Sequence, residues 1–213
     1  MSHGTFTLDG ETWDVDNNIW VVGDDAECVV IDAPHSVEDI MAVVEGRRVK
    51  AILCTHGHDD HVRVAPALRA RTGAPIMLHP HDEPVWRLTH PVQGWDIDLA
   101  DGATIEIAGA VLEVLHTPGH APGAVSFHLA QLGCVFTGDT LFRGGPGATG
   151  RSFSDRATLD ESIRARLFSL APDTVVHTGH GPDTTIAEER GIAAAARIRQ
   201  LIGKRLPGEE AVP

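Results

Sequence analysis

Histidine and aspartate are concentrated in one short segment of the sequence, Thr55-His56-Gly57-His58-Asp59-Asp60-His61. Imidazole is the commonest metal ligand at neutral pH, and a neighbouring carboxylate either completes a metal site or orients a ligating ring. The segment follows an apolar run that ends at Cys54, so a strand would present these side chains at its end. The segment therefore predicts a site for one metal ion, or part of a site for two.

Three later positions offer further ligands. His120 follows Pro118-Gly119, Asp139 follows Gly138 after a short apolar run, and His180 lies between Gly179 and Gly181. Flanking glycines allow backbone to approach an ion closely, and loops on a rigid scaffold are where ligands are usually presented. His116 and His177 share loops with these positions, and we expect them to support ligands rather than bind metal. The other histidines show no spacing typical of a site, namely His3, His35, His79, His81, His90 and His128.

In content and order, these segments resemble the metallo-β-lactamase superfamily, and within it the glyoxalase II-like and persulfide dioxygenase-like branches. The resemblance covers nearly the whole chain and implies an α/β protein with the αββα sandwich of the metallo-β-lactamase fold. It also implies two metal sites that share Asp139 as a bridge. By this resemblance the first site would contain His56, His58 and His120, and the second would contain Asp60, His61 and His180.

The cofactors implied by the resemblance are two divalent metal ions. Mixed histidine and carboxylate ligands suit zinc, iron and manganese, so zinc is expected and iron is the alternative. Metal ligation lowers the pKa of bound water from about 15.7 toward 7, which supplies a hydroxide nucleophile, and Asp60 and Asp139 would orient it as catalytic residues. A thiol of pKa near 8.5 leaves as thiolate with little acid help, and no motif supplies an obvious proton donor. We therefore expect a thioester hydrolase similar to hydroxyacylglutathione hydrolase.

Substrate recognition depends on where the sequence departs from its relatives. Glyoxalase II proper holds glutathione with a C-terminal helical domain for which this sequence leaves no room, so glutathione itself is not assigned. Arg143 and Arg151 follow Asp139, and an arginine there would bind a carboxylate of a thiol-derived substrate, unless it is a solvated surface charge. The expected partner is a small-molecule thioester or other thiol-derived compound.

Four other functions compete with the hydrolase. Lactonases of this superfamily use a tyrosine where this sequence has Phe142, and the chain contains no tyrosine. Class B β-lactamases of the main subclass have cysteine at the position of Asp139. Persulfide dioxygenases keep the ligand pattern but use one iron, with cysteine where this chain has Thr149; this is the second choice. A non-catalytic metal-binding module is disfavoured because the ligand set is complete and would leave open coordination positions.

Composition excludes several classes of partner. The chain has 17 basic and 30 acidic residues, a formal charge of -13, which opposes binding to nucleic-acid phosphates. No apolar run is long enough to cross a bilayer, and the N-terminus lacks a signal-peptide pattern. Three cysteines, none in a C-x-x-C pair, indicate reduced thiols and a cytoplasmic location. The sequence gives no indication of oligomeric state.

The elements that must position these residues form an α/β pattern with two sheets in one domain over 1–205, followed by a disordered tail over 206–213. Early β-rich runs suggest a meandering sheet, at 5–8, 13–15, 19–22 and 28–31. Ser36 and Asp39 indicate the start of a helix that ends near Gly46. A strand over 49–54 then leads to the histidine segment, and one helix is predicted through Val62, Leu68 and Ala70.

In the second half of the sequence, predicted strands again lead to predicted ligands. Strands are predicted at 104–107, 111–115, 124–128 and 134–136, and they lead to His120 and Asp139. Thr158 and Glu161 indicate the start of a helix, and a strand over 174–176 leads to His180. A closing helix is predicted through Ile192, Ala196 and Ile198 to Ile202.

Overall fold

Two mixed β-sheets pack face to face in the computed structural model, and helices cover both outer faces. This is the αββα sandwich, and the α/β class, that the sequence resemblance implies, so the predicted fold is confirmed. The structure describes residues 1–203. The predicted domain end at 205 and the tail at 206–213 lie outside the described residues.

The first sheet has five strands in the order β3-β4-β5-β6-β7. β3 and β4 are antiparallel, and the remaining neighbours are parallel. Four helices lie between or after its strands. The elements of this half are β3 (Trp20–Gly23), β4 (Glu27–Ile31), α1 (Val37–Val44), β5 (Arg48–Leu53), α2 (Asp59–Val62), α3 (Ala65–Thr72), β6 (Ile76–Leu78), α4 (Glu83–Thr89) and β7 (Ile97–Asp98).

The second sheet has six strands in the order β15-β14-β11-β10-β9-β8. A π-type turn over Ile163–Leu167 continues α5. Two hairpins, β1-β2 and β12-β13, stand apart from both sheets. The remaining elements are β1 (Ser2–Leu8), β2 (Glu11–Asn17), β8 (Thr104–Ile107), β9 (Ala110–His116), β10 (Val125–Leu129), β11 (Cys134–Gly138), β12 (Leu141–Phe142), β13 (Gly145–Pro146), α5 (Arg156–Ser162), β14 (Val175–Thr178), β15 (Thr184–Thr185) and α6 (Ile186–Gly203).

Alternation along the strands divides the apolar side chains between the layers. In β4, Val29 and Ile31 face the second sheet, while Cys28 and Val30 face the helices, because successive side chains of a strand point to opposite faces. Phe127 of the second sheet is fully buried and lies in the central core between the sheets. Within the described residues, no helix combines the length and apolar character needed to cross a bilayer.

Strand direction brings four loops to one edge of the sandwich. β9 and β11 both run antiparallel to β10, and β14 is parallel to β11, so β9, β11 and β14 end on the same side. The backbone N–H of Val125 donates to the carbonyl of Thr55 at 2.8 Å, which joins the loop after β5 to the second sheet. The loops after β5, β9, β11 and β14 carry all the predicted ligands, and this arrangement lets them meet.

Three local predictions were wrong. The single helix predicted through Val62, Leu68 and Ala70 is two helices, α2 and α3, because Pro66 lies in the first turn of α3, where its missing N–H is tolerated. α5 begins earlier than Thr158, whose backbone N–H donates to the capping side chain of Asp155 at 2.7 Å. The four early strands do not form one meander, because β1 and β2 pair only with each other.

Candidate metal centre

The first group of predicted ligands consists of three buried histidines. His56 Nε2 and His120 Nε2 each lie 3.0 Å from His58 Nδ1. The three rings meet edge to face, at interplanar angles of 85–88°. His56 and His58 follow β5, while His120 follows β9, so the group joins the two sheets.

The second group contains Asp60 and His61, both in α2, together with His180 after β14. Asp60 Oδ2 lies 3.2 Å from His180 Nε2 and 3.6 Å from His61 Nε2. The two Nε2 atoms are 3.3 Å apart. Gly179 leaves room for the neighbouring side chains, because a Cβ there would lie 2.3 Å from Asp139 Oδ1 and 2.9 Å from His61 Cε1.

Asp139 contacts both groups. Its Oδ1 lies 3.2 Å from His61 Nε2, and its Oδ2 lies 3.5 Å from His180 Nε2 and 3.6 Å from His120 Nε2. Asp139 Oδ1 is buried without a hydrogen-bond partner among the described residues. The structure therefore brings all seven predicted ligands together, with the predicted bridging residue between the two groups.

Hydrogen bonds on the outer side of the rings test whether the groups fit a cation. His61 Nδ1–H donates to the Asp32 carboxylate, His120 Nδ1–H to the Ala148 carbonyl, and His180 Nδ1–H to the Asp16 carbonyl, each at 2.8 Å. Because each acceptor requires the proton on Nδ1, Nε2 of each ring points inward and offers a lone pair when the ring is neutral. Lone pairs that converge on one point repel each other unless a cation lies between them. The donor set therefore fits a divalent metal ion.

Electrostatics differ between the two groups. Burial and the neighbouring histidines lower the pKa of His56 well below its usual value, and the same causes lower the pKa of His58 to about 3. In the second group, burial opposes charge on Asp60 and Asp139, but His61 and His180 together outweigh it, so both pKa values are lowered. Burial also opposes protonation of His180, yet Asp139 raises its pKa to about 10. The first group is thus neutral imidazole, while the second pairs carboxylates with histidines.

Asp32 is a residue of the site that the sequence analysis missed. It is buried directly after β4 and accepts hydrogen bonds from Thr55 N–H at 2.7 Å, from Thr55 Oγ1–H at 2.8 Å and from His61 Nδ1–H. Its φ of +62° is a left-handed conformation uncommon for a residue other than glycine. These contacts fix the ring orientation of His61, as carboxylates commonly do for ligating histidines.

Asp82 is a second missed residue, and it ties two ligand loops together. Its fully buried carboxylate accepts from Gly57 N–H at 2.6 Å, between His56 and His58, and from Gly123 N–H at 2.5 Å, just after His120. Burial raises the pKa of Asp82 to about 7, against the lowering effect of the two N–H donors. Asp82 therefore holds the loops that carry the first group.

The predicted substrate-binding arginines lie on two sides of the ligands. A cavity of about 330 Å³ is lined by Arg151 together with Asp60 and Asp139, while Arg143 lines an adjoining cleft beside His180. The Arg151 guanidinium lies 3.8 Å from the Trp13 ring centroid, an arrangement typical of a cation–π contact. The structure thus places Arg151 in the cavity and Arg143 in the adjoining cleft, and their binding roles stay predictions.

The predicted supporting histidines lie outside both groups. His116 Nε2–H donates to the Pro122 carbonyl at 3.1 Å, and His177 lies 2.9 Å from Asp183. His79, His81 and His116 form another cluster, which the sequence analysis did not predict. The rings of His79 and His116 are stacked at 8°, and His79 Nδ1 accepts from the His81 backbone N–H, so these lone pairs do not converge. This cluster is packed side chains rather than a formed metal site.

Comparisons with known proteins agree with this geometry. The sequence model described as "Metallo-beta-lactamase superfamily" matches residues 12–180. A "Hydroxyacylglutathione hydrolase GloC" from Haemophilus influenzae is 32% identical over 187 residues, covering 81% of this chain and 87% of the relative. Among solved structures, the "BLEG-1 B3 metallo-beta-lactamase" has a TM-score of 0.75 at 29% identity, covering 89% of this chain and 97% of that one. "TTHA1623 in a di-iron-bound form" has a TM-score of 0.73 at 34% identity, covering 83% and 93% respectively.

Proposed function

The chain belongs to the metallo-beta-lactamase superfamily, and we propose that it is a metal-dependent hydrolase acting on an acyl thioester of a small thiol. The observation that carries the proposal is the pair of ligand groups joined by Asp139. Two groups with one shared carboxylate are suited to a pair of ions that act on one substrate bond. The similarity to a hydroxyacylglutathione hydrolase supports the thioester as substrate class.

We assign the first ion to His56, His58 and His120 and the second to Asp60, His61 and His180, with Asp139 shared. When bound, such ions polarise a carbonyl group and lower the pKa of water to about 7. Zinc is the proposed metal. Iron is the alternative, and it is supported by the di-iron form of TTHA1623.

The protein side chains orient the reactants. Asp60 and Asp139 line the cavity with carboxylate oxygens able to accept a proton from a water molecule there, and their lowered pKa values keep them ionised as acceptors. Phe6 and Val15 of the N-terminal hairpin form an apolar wall of the same cavity. The cavity therefore combines ionised ligand carboxylates with an apolar wall.

Arg151 supplies the proposed selectivity for an acidic substrate. Its guanidinium carbon lies 3.8 Å from the centre of the Trp13 ring, which in turn stacks on Phe6 at 5.5 Å. Within the described residues the Arg151 backbone N–H donates to Ser154 Oγ, whereas its guanidinium N–H groups make no hydrogen bond, so they are available for a carboxylate. Arg143 could bind a second acidic group from the adjoining cleft.

One other activity has specific support, and the dioxygenase stays the alternative from the sequence analysis. The similarity to a B3 metallo-beta-lactamase makes β-lactam hydrolysis a candidate. B3 is not the main subclass, whose members have cysteine at the position of Asp139. A mononuclear iron dioxygenase would need only the first group. Because a relative holds two irons, the number of ions rather than the identity of the metal separates the hydrolase from the dioxygenase. Nucleic acids and membranes are not proposed partners, and three free, buried cysteines support a proposed cytoplasmic location.

The test is a substrate panel on protein with measured metal content. We expect about two ions per chain and hydrolysis of an acidic acyl thioester that is faster than that of a chromogenic cephalosporin. One iron per chain with persulfide-dependent oxygen uptake would contradict the proposal, as would a preference for the cephalosporin.

Arg151→Met tests the acidic substrate. A hydrogen bond to a charged group contributes about 1.5–3 kcal/mol, so kcat/KM for an acidic thioester should fall about 10- to 150-fold, with little change for a neutral one. Arg156→Met is the matched control, since Arg156 is exposed and paired with Asp160 away from the ligands. An equal loss on both thioesters would show that Arg151 does not read the carboxylate.

A further inference from the structure

Asn17 is a buried polar residue at the second ligand group, and no sequence pattern pointed to it. Its side chain is 1% exposed at the end of β2. The amide Nδ2 lies 3.2 Å from Asp60 Oδ2 and 3.4 Å from both His61 Nε2 and His180 Nε2. One amide group therefore touches every member of the second group and no atom of the first group's three histidines among the described contacts.

The orientation of this amide is fixed from its other side. His35 Nε2–H donates to Asn17 Oδ1 at 2.7 Å, and His35 Nδ1 is buried without a partner. Turning the amide would place its N–H group against His35 Nε2 and would force the His35 proton onto Nδ1, where no described group accepts it. The N–H side of Asn17 must therefore face Asp60.

Close packing keeps His35 in this position. A Cβ added to Gly4 would lie 2.3 Å from His35 Nδ1, so only glycine in β1 allows the ring to approach the hairpin. The hairpin itself is anchored by Ser2, which donates to Asp39, and by Arg63, which donates to the Thr5 carbonyl. The amide is thus held by a rigid local arrangement rather than by the ligands alone.

We propose that Asn17 is a positioning residue for the second metal ion, which it retains by holding the Asp60 carboxylate through an N–H···O bond. The inference rests on the proposed two-metal function. When the histidine lone pairs of the second group bind a cation, Asp60 Oδ2 remains an acceptor for the Asn17 N–H. Residues that orient a ligand in this way contribute about 10- to 100-fold to metal affinity. With Asn17 the chain should therefore keep two ions, and without it the chain should keep only the first.

The experiment measures stepwise zinc dissociation constants by competition with a chromophoric chelator, for the wild type and for Asn17→Ala. We expect the weaker constant to rise about 10- to 100-fold while the tighter one stays within about twofold. Asn17→Leu, which is close in size and cannot donate a hydrogen bond, should behave in the same way and guards against loss of folding from a cavity. Circular dichroism of the metal-free proteins checks the fold.

Asn18→Ala is the matched control. Asn18 Nδ2 donates to the carbonyl groups of Thr178 and Gly181, so it supports the backbone around His180 without touching a ligand atom. Equal weakening in Asn18→Ala and Asn17→Ala would assign the effect to general support of the loop and would overturn the inference. Unchanged constants in both Asn17 variants would also overturn it. A wild type that binds only one ion at any zinc concentration would instead refute the two-metal function, and the role of Asn17 with it.

Discussion

Replacing Asp139 by asparagine should remove the carboxylate that the two ligand groups share without changing the shape of the site. In the structure the two carboxylate oxygens divide between the groups, with Oδ1 facing His61 and Oδ2 facing His120 and His180. Asparagine keeps one oxygen and turns the other position into an N–H donor. Whichever way the amide points, it places a donor where one group requires a negative acceptor.

The size of the effect follows from these contacts. Asp139 lies 3.2–3.6 Å from three ligand nitrogens, so its charge acts on ions bound to either group. At such a separation the interaction of two unit charges is about 4 kcal/mol at an effective dielectric constant of 20. Because each 1.36 kcal/mol is a factor of ten, Asp139→Asn should lower kcat by about 10²- to 10³-fold. Bound metal should fall from two ions to one.

Two measurements on the same preparations check this prediction. Plasma mass spectrometry gives ions per chain, and a thiol-reactive dye follows thiolate release from an acyl thioester. Asp59→Asn is the control, because Asp59 belongs to the same segment but contacts Arg63 and the backbone of Thr7 instead of a ligand. Asp59→Asn should keep both ions and most of the activity. If Asp139→Asn does the same, the bridging role and the reasoning from its two oxygens are wrong.

Three further outcomes follow from the surroundings of the site. Asp32→Asn replaces one acceptor by a donor facing His61 or Thr55, so the free energy of unfolding in urea should fall by about 1–3 kcal/mol; an unchanged value would mean these contacts contribute nothing. Because burial raises the pKa of Asp82 from 3.8 to about 7, its ionised form is the unfavourable one in the folded protein. As pH rises from about 4 to 7, the free energy of unfolding of the wild type should therefore fall relative to that of Asp82→Asn, by up to about 1.4 kcal/mol per pH unit. Urea unfolding at each pH measures this difference, and parallel profiles for the two proteins would contradict the prediction. Chelation of the metal should lower the calorimetric melting temperature, since ions that bind only the folded chain at 1,000 times Kd stabilise it by about 4 kcal/mol.

The ligands could be found from sequence because their chemistry is concentrated in short segments. His56 to His61 lie within one turn and loop, and Gly138 and Gly179 mark the later positions where backbone must pass close to the site. The structure brings these residues into the two groups that the resemblance implies. The metal-binding roles themselves stay predictions for the metal titrations above.

The supporting residues are harder to predict because their roles depend on contacts between distant segments. Asp32 carries a weak signal, since it follows buried β4 and lies beside the end of parallel β5. Asn17 carries none, because its contact with Asp60 spans 43 residues and exists only once the hairpin packs on α2. β6 has only three residues, too few for a periodic pattern, and α4 begins at a proline-containing turn; neither was predicted.

The choice between a thioester and a β-lactam depends on the leaving group rather than on the arginines, since both substrate classes can be acidic. An amide-type nitrogen needs a proton as it leaves, whereas a thiolate does not. Asp60 and Asp139, the ligand carboxylates, have lowered pKa values and cannot donate one near neutral pH. Asp16 lies at the cavity rim, where its carboxylate faces His3 at 2.9 Å. Once His58, His120 and His180 are bound as metal ligands, the described side chains that line the cavity provide acceptors and an arginine proposed to bind an anion, but no acid suited to a nitrogen leaving group, which favours the thioester.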